Sequence, residues 1–138
     1  MLPQSICFVD VETTGTSAFY NRVIEIGIVK TLNGEIVKEY KTLINPQTHI
    51  DPFIEQLTGI DPISLENAPT FEEVAPEIYE LLSDSFFVAH NVRFDYGFLR
   101  NEFKRSGIKL SLKHFCTVKL SRLLYPDMKR HNMDAIID

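Results

Sequence analysis

The chain has no run of about 18 apolar residues, so it offers no segment able to cross a bilayer as a helix. Its first residues, Met1-Leu2-Pro3-Gln4-Ser5, lack the basic region of a secretory signal and run straight into a strand-like segment. A cytoplasmic location is the resulting expectation. Cysteine is scarce: Cys7 and Cys116 both sit in apolar segments, and neither has a metal-ligand spacing such as CxxC. They read as buried thiols in a reducing compartment. Positive charge is also in deficit, with 14 Lys and Arg against 19 Asp and Glu, a net charge of −5. That argues against a protein that coats duplex nucleic acid through a basic face. It leaves room for an enzyme that holds a few nucleotides, because divalent cations bridge carboxylates to phosphate. Repeats, low-complexity runs and linkers are missing too, and 138 residues suit one domain with an ample core.

What is present alternates between strand-like and helix-like segments. Ile6-Cys7-Phe8-Val9 is a short continuous apolar run, as expected of a strand buried on both faces. A polar stretch from Thr13 to Asn21 leads to a second strand, Val23 to Lys30. Asn33-Gly34 is a hairpin signal into a third, Glu35 to Ile44. Asp51 to Leu57 reads as a short helix ended by Gly59. Thr70-Phe71-Glu72-Glu73 is a capping box opening a helix to about Ser83, with Pro76 inside it. Phe86 to Ala89 is a fourth strand, and Val92 to Arg105 a helix closed by Ser106-Gly107. His114 to Cys116 is a brief fifth strand, after which Thr117 caps a helix that stops before Pro126. The expected architecture is α/β: a mixed five-stranded sheet, three antiparallel strands followed by a parallel half, flanked by helices.

The carboxylates carry the chemistry. Strand side chains alternate, so Asp10 and Glu12 project from one face about 6.5–7 Å apart. Two acids at the end of a buried strand are costly unless paired or metal-bound. Their spacing suits a pair of hard cations of the kind used for phosphodiester cleavage. The alternative is a strand running out into a solvated turn. Thr13-Thr14-Gly15 follows, offering hydroxyls and amides to phosphate or sugar oxygens and a glycine that permits close ligand approach; a plain polar turn explains it equally well. Asp95 lies one turn into the helix that Asn91 caps, where the dipole favours a carboxylate, and a third acid there suits either a cation site or simple helix capping. Glu25 interrupts an apolar strand and is expected to be satisfied by a structural hydrogen bond.

These residues resemble a known family. Phe8-Val9-Asp10-Val11-Glu12-Thr13-Thr14-Gly15 is similar to the first exonuclease motif of the DnaQ-like (DEDD) family, which includes the proofreading epsilon subunit of bacterial replicative polymerase. His90-Asn91-Val92-Arg93-Phe94-Asp95, with Phe98-Leu99, resembles its second motif. Leu57-Thr58-Gly59-Ile60 resembles the intervening segment that touches the terminal nucleotide. The resemblance implies a ribonuclease H-like fold and two Mg²⁺ or Mn²⁺ ions, held by Asp10, Glu12 and Asp95 directly or through water. It implies 3′→5′ removal of nucleotides from a single-stranded or frayed DNA end by an activated water, with RNA as a possible substrate. Glu12, Thr13 and Thr14 would contact the terminal nucleotide, with Gly15, Thr58 and Phe94 as further candidates. A polymerase subunit or a fused repair-nuclease domain is the implied partner.

The pattern breaks at the third motif, which in the family is a general-base His followed five positions later by an Asp. Five residues after His131 stands Ile136. The segment His131 to Ala135 resembles instead the lead-in to the helix that precedes that motif, and the helix begun at Asn132 has no stop signal before Asp138. The expectation is therefore a single exonuclease-type domain over 1–138 that continues beyond them and is inactive or severely impaired as it stands. The rival readings are a non-catalytic nucleic-acid-binding or polymerase-tethering module, and an RNA-trimming exoribonuclease.

Overall fold

A computed structural model describes residues 5–116; the Thr117 helix, His131 and the Asn132 helix lie outside the described residues. The chain opens with β1 (Ser5–Thr13), β2 (Val23–Leu32) and β3 (Glu35–Leu43), then α1 (Pro52–Thr58), α2 (Pro62–Glu66) and α3 (Phe71–Leu82). β4 (Phe86–Ala89), α4 (Val92–Arg105) and the three-residue β5 (His114–Cys116) follow. The sheet order is β3-β2-β1-β4-β5, antiparallel from β3 to β1 and parallel from β1 to β5. This is the mixed sheet expected from the sequence.

β1 differs from expectation in two ways. It continues through Asp10, Glu12 and Thr13, because pairing with β2 supplies backbone partners where the side chains turn polar. It is also not buried on both faces. Ser5, Cys7, Val9, Val11 and Thr13 are buried, while Ile6, Phe8 and Glu12 are half-buried and Asp10 is exposed. The buried row meets Ile26 and Ile28 of β2 and the apolar sides of α3 and α4, where Phe71, Ile78, Leu82, Phe98, Leu99 and Phe103 are almost fully enclosed. Phe71 and Phe103 join the two helices edge to face at 5.0 Å. Tyr96, Phe98, Leu99 and Phe103 are thus packing residues, as their helical spacing predicts. Cys7 is free and buried, and burial raises its thiol pKa.

The register between β1 and β2 shifts once, between Glu12 and Thr13: Glu12 faces Glu25 and Thr13 faces Val23, leaving Ile24 as the extra residue. Ile24 is buried in a satellite cluster with Ile54 of α1 and Leu65 of α2. The bulge therefore anchors α1 and α2 beside the end of β1 where the carboxylates stand.

Helix boundaries follow local chemistry. Asp51 caps α1 through a bond from the Phe53 amide to its carboxylate, and Gly59 ends the helix in the left-handed region at φ 74°. The sequence reading missed α2, which repeats the same Asp-Pro start at Asp61-Pro62. The Thr70 capping box is present in both directions, with the Glu73 amide donating to the Thr70 hydroxyl and the Thr70 amide donating to the Glu73 carboxylate. Thr70→Ala is expected to lower stability by about 1 kcal/mol, read as a lower urea midpoint with an unchanged m-value. At α4, Asn91 occupies the cap position but makes no side-chain capping bond. Its backbone carbonyl accepts from the Phe94 and Asp95 amides instead. The far end closes as expected, with Gly107 at φ 80° and the Ile108 amide donating to the Phe103 carbonyl at 2.8 Å.

Candidate active site

β4 pairs with β1 only as far as Phe8 opposite Val88, then leaves the sheet to begin α4. Beyond that point the side of β1 facing β4 has no strand beside it. The Val11 amide would be an orphan donor there, and Asp95 takes it: the amide donates to the Asp95 Oδ2 at 3.1 Å. Because Val11 stands between Asp10 and Glu12, this bond brings the α4 acid against the backbone between the two β1 acids. Asp95 is only 5% exposed. Burial, reinforced by the charges of Asp10 and Glu12 and opposed by the Val11 amide, pushes its pKa up to about 7. Glu12 is raised for related reasons: burial first, then Asp10, then Glu25 directly across the sheet.

Glu25 is not satisfied in the way expected of it. It reaches Lys41 Nζ at 4.0 Å, an ion pair at the limit of contact rather than a hydrogen bond, and so adds negative charge beside Glu12. On the same sheet face lies a shallow groove of about 420 Å³, in which Asp10 and His90 stand over an apolar floor including Phe8, Val29 and Val88. Gly27, paired with Asp10, has no side chain to fill the space beside that carboxylate.

All three expected ligands are carboxylates, the donor type that hard divalent cations take. Burial is the first cause of the raised pKa of Asp95, and the charges of Asp10 and Glu12 add to it. The three carboxylates are not already closed around an ion: among the described residues no three His, Cys, Asp or Glu side chains converge tightly enough to hold a metal. A cation would have to draw them together.

The other expected contacts are less open to a ligand. Thr13 lies in the buried row, and its hydroxyl donates to the Gly15 carbonyl at 2.6 Å. Thr14 closes the loop that follows: its amide donates to the Arg22 carbonyl and its hydroxyl accepts from the Arg22 amide. A Cβ at Gly15 would meet the end of the Asn21 side chain at 2.5–2.8 Å, so Asn21, whose Oδ1 accepts from the Ser17 amide, would have to move. The Thr58 hydroxyl donates to Ile54 and accepts from the Ile60 amide. Phe94 is half-buried, with its ring 4.7 Å from Phe98.

Sequence reasoning missed Glu102, a fully buried carboxylate on α4. It accepts from Arg22 Nε at 2.9 and 3.1 Å, pairs with Arg22 Nη2 at 2.9 Å, and accepts from the Val23 amide at 2.8 Å. Arg105, 3.4 Å from the same carboxylate, also donates to the carbonyls of Ala18 and Phe19. Together they tie the loop after Glu12 to α4, the helix that carries Asp95. The available signal was position: Glu102 falls seven residues after Asp95, on the stripe of α4 that also carries Leu99 and Phe103.

The chain resembles known proteins throughout its length. It is 40% identical over 129 residues to the DNA polymerase III PolC-type of Caldanaerobacter subterraneus subsp. tengcongensis, covering 94% of this chain and 9% of that protein. It is 40% identical over 138 residues to the 3′-5′ exonuclease DinG of Bacillus subtilis, covering 99% of this chain and 15% of the relative. The chain thus spans a small part of the relatives it matches. Among solved structures, apo Exonuclease I superimposes with a TM-score of 0.76 at 20% identity, over 91% of this chain and 32% of that one. E. coli Exonuclease I in complex with a dA16 oligonucleotide gives the same TM-score and identity over 90% of this chain and 30% of that one. These similarities agree with a ribonuclease H-like fold. The Exonuclease (RNase_T) family model matches residues 7–138, and the chain belongs to this DnaQ-like exonuclease family.

Proposed function

We propose that this chain is the 3′→5′ exonuclease part of a DNA-processing protein, and that Asp10, Glu12 and Asp95 hold its divalent cations, Mg²⁺ or Mn²⁺. The observation that carries the reading is the buried Asp95 carboxylate, docked between two further acids by one backbone amide and left with a pKa near neutrality. No cation among the described residues offsets its charge, so an ion is the natural partner. When bound, such ions generate the attacking hydroxide and offset charge on the phosphodiester. The chain's own part is to hold the carboxylates on one strand and one helix, and to brace the loop after Glu12 where the terminal nucleotide would lie. Thr14, Thr58 and Phe94 are the nearest candidates to touch that nucleotide; Thr13 and Gly15 shape the turn. DNA is the preferred substrate because the relatives include PolC-type polymerases and DinG exonucleases. A covalently joined or associated polymerase or repair module is the partner those relatives suggest. The free, buried Cys7 suits a reducing cytoplasm.

A non-catalytic module draws on one observation, that the carboxylates do not enclose an ion unaided. Titration with Mn²⁺ separates the two readings. The wild-type melting temperature is expected to rise with Mn²⁺ while Asp10→Ala shows little response. In a turnover assay with 5′-labelled single-stranded DNA, residues 1–138 are expected to show little or no activity, since the third motif is not met at His131, and any shortening should run one nucleotide at a time from the 3′ end. Identical Mn²⁺ responses in the two proteins would remove the metal site, and internal cleavage products would remove the exonuclease assignment.

A further inference from the structure

The charge of this chain is segregated. Residues 42–92 contain nine Asp and Glu and no Lys or Arg at all. Residues 93–116 contain six Lys and Arg, and their two acids, Asp95 and Glu102, are both buried. A protein with net charge −5 therefore presents α4 and the α4–β5 connection as a surface whose exposed charges are all positive.

Within that surface lies a groove of about 630 Å³ whose lining includes Arg100, Lys104 and Lys109 and no carboxylate. Its wall is fixed by Tyr96: the phenol donates to the Leu110 carbonyl, accepts from the Leu112 amide at 2.9 Å, and its ring lies over His114 at 4.4 Å. None of the three cations forms an ion pair with a described residue. Arg93, also exposed, stands seven residues before Arg100, so Arg93, Arg100 and Lys104 lie along one side of α4 over about 16 Å at 1.5 Å per residue. Helix energetics do not account for the row. Lys104 suits the negative end of the dipole, but Arg93 sits in the first turn, where the dipole opposes it. Arg100 and Lys104, four apart, repel each other. Concentrated cations around a braced groove, without a counter-charge among the described residues, call for an anion with repeated charges.

We propose that this groove binds the phosphodiester backbone of the single strand upstream of its 3′ end, as an electrostatic track separate from the carboxylate site. The inference rests on the reading of the chain as a nucleic-acid enzyme. It adds a second contact region, reached only by strands longer than the few nucleotides the carboxylates hold. α4 gives the continuity, with Asp95 and Arg93 in its first turn and Lys104 in its last. Contact through phosphate makes the binding tolerant of sequence and sensitive to salt.

The test is fluorescence anisotropy with 5′-fluorescein-labelled dT16 and dT3 in EDTA, from 20 to 200 mM KCl, comparing the wild-type chain with the double variant Arg100→Gln/Lys104→Gln. Circular dichroism melts show that the variant is folded. The wild type is expected to bind dT16 more tightly than dT3. The variant should lose affinity for dT16 by about tenfold at low salt, with a log–log salt slope shallower by about 1.4, since each single-strand phosphate contact contributes roughly 0.7. Equal dT16 affinities and slopes in the two folded proteins would overturn the track, as would absence of dT16 binding by the wild type at 20 mM KCl. A preference for a poly-glutamate peptide over dT16 at matched charge would assign the groove to an acidic protein partner instead and overturn it as well. The Mn²⁺ titration of wild type against Asp10→Ala is independent of these outcomes, so failure of the metal site and failure of the track are distinguishable.

Discussion

Asp95→Asn is expected to make the metal-free protein more stable above pH 7 and to remove its response to Mn²⁺. The asparagine oxygen can still accept the Val11 amide, so the contact between α4 and β1 survives while the buried charge is lost. In the native protein the Asp95 pKa is about 7, above its ordinary value of 3.8. Between those values the folded form holds a proton that the unfolded chain has released, so stability falls as pH rises through that window. The loss is complete above pH 7 and reaches at most on the order of 4 kcal/mol, since each tenfold change in proton affinity is worth about 1.36 kcal/mol. Urea denaturation in EDTA at pH 5.5 and pH 8 measures this directly. The advantage of Asp95→Asn over wild type should be about 2 kcal/mol larger at pH 8 than at pH 5.5, where roughly half of the loss is already present; parallel pH profiles would show that the carboxylate is not the source. A cation reverses the balance in the wild type by supplying a counter-charge, so Mn²⁺ should stabilise it more at pH 8 than at pH 5.5, and binding should release about one proton at pH 5.5 and almost none at pH 8. With Asp95 as a ligand, as proposed, its loss should weaken Mn²⁺ binding by more than about 100-fold, since even outer partners of metal ligands cost 10–100-fold.

Much of this site was legible because its signals are local. The cap residues Asp51 and Thr70 and the closing Gly107 bond backbone within a few positions, so the sequence alone placed α1, α3 and the end of α4. Asp10, Glu12 and Asp95 were legible from their places at the ends of recognisable elements and from the order of the motifs. What escaped reading depends on pairing across the fold. β1 extends through polar residues because β2 continues beside it, and its second face is open around Phe8 and Asp10. α2 is five residues long, too short for a helical period, and only its Asp61-Pro62 start marks it. Thr13 and Thr14 read equally as ligand contacts or as a polar turn, and the bonds they make within that turn, to Gly15 and Arg22, depend on how the loop folds back. Glu102 was not singled out in the sequence, because its partner, Arg22, is 80 residues away.

That partnership sets the second large effect: Glu102→Ala should cost about 3–5 kcal/mol, the range for removing one partner of a buried ion pair. The carboxylate has no exposure, whereas Arg22 keeps 23%, so the cost falls mainly on what Glu102 leaves behind. The Val23 amide becomes a buried orphan donor, Arg22 loses a two-oxygen partner, and Arg105 loses one of the groups that hold it against the Ala18 and Phe19 carbonyls. Glu102→Gln keeps one acceptor for Val23 and the shape of the side chain, and should cost clearly less than Glu102→Ala. Urea midpoints for the two variants test this ordering, and an alanine variant within about 0.5 kcal/mol of wild type, the range of ordinary surface substitutions, would mean that the clamp is incidental. The effect should also be local. The loop from Thr14 to Asn21 is tied to α4 through Arg22 and Arg105, so its amides are expected to exchange faster in Glu102→Gln, at a pH where the protein remains folded, while those of β1 to Val11 stay protected. Such a split would show that Glu102 fixes the turn following Glu12 and leaves the strand itself in place, which makes it a positioning residue for the site and not only a support of the core.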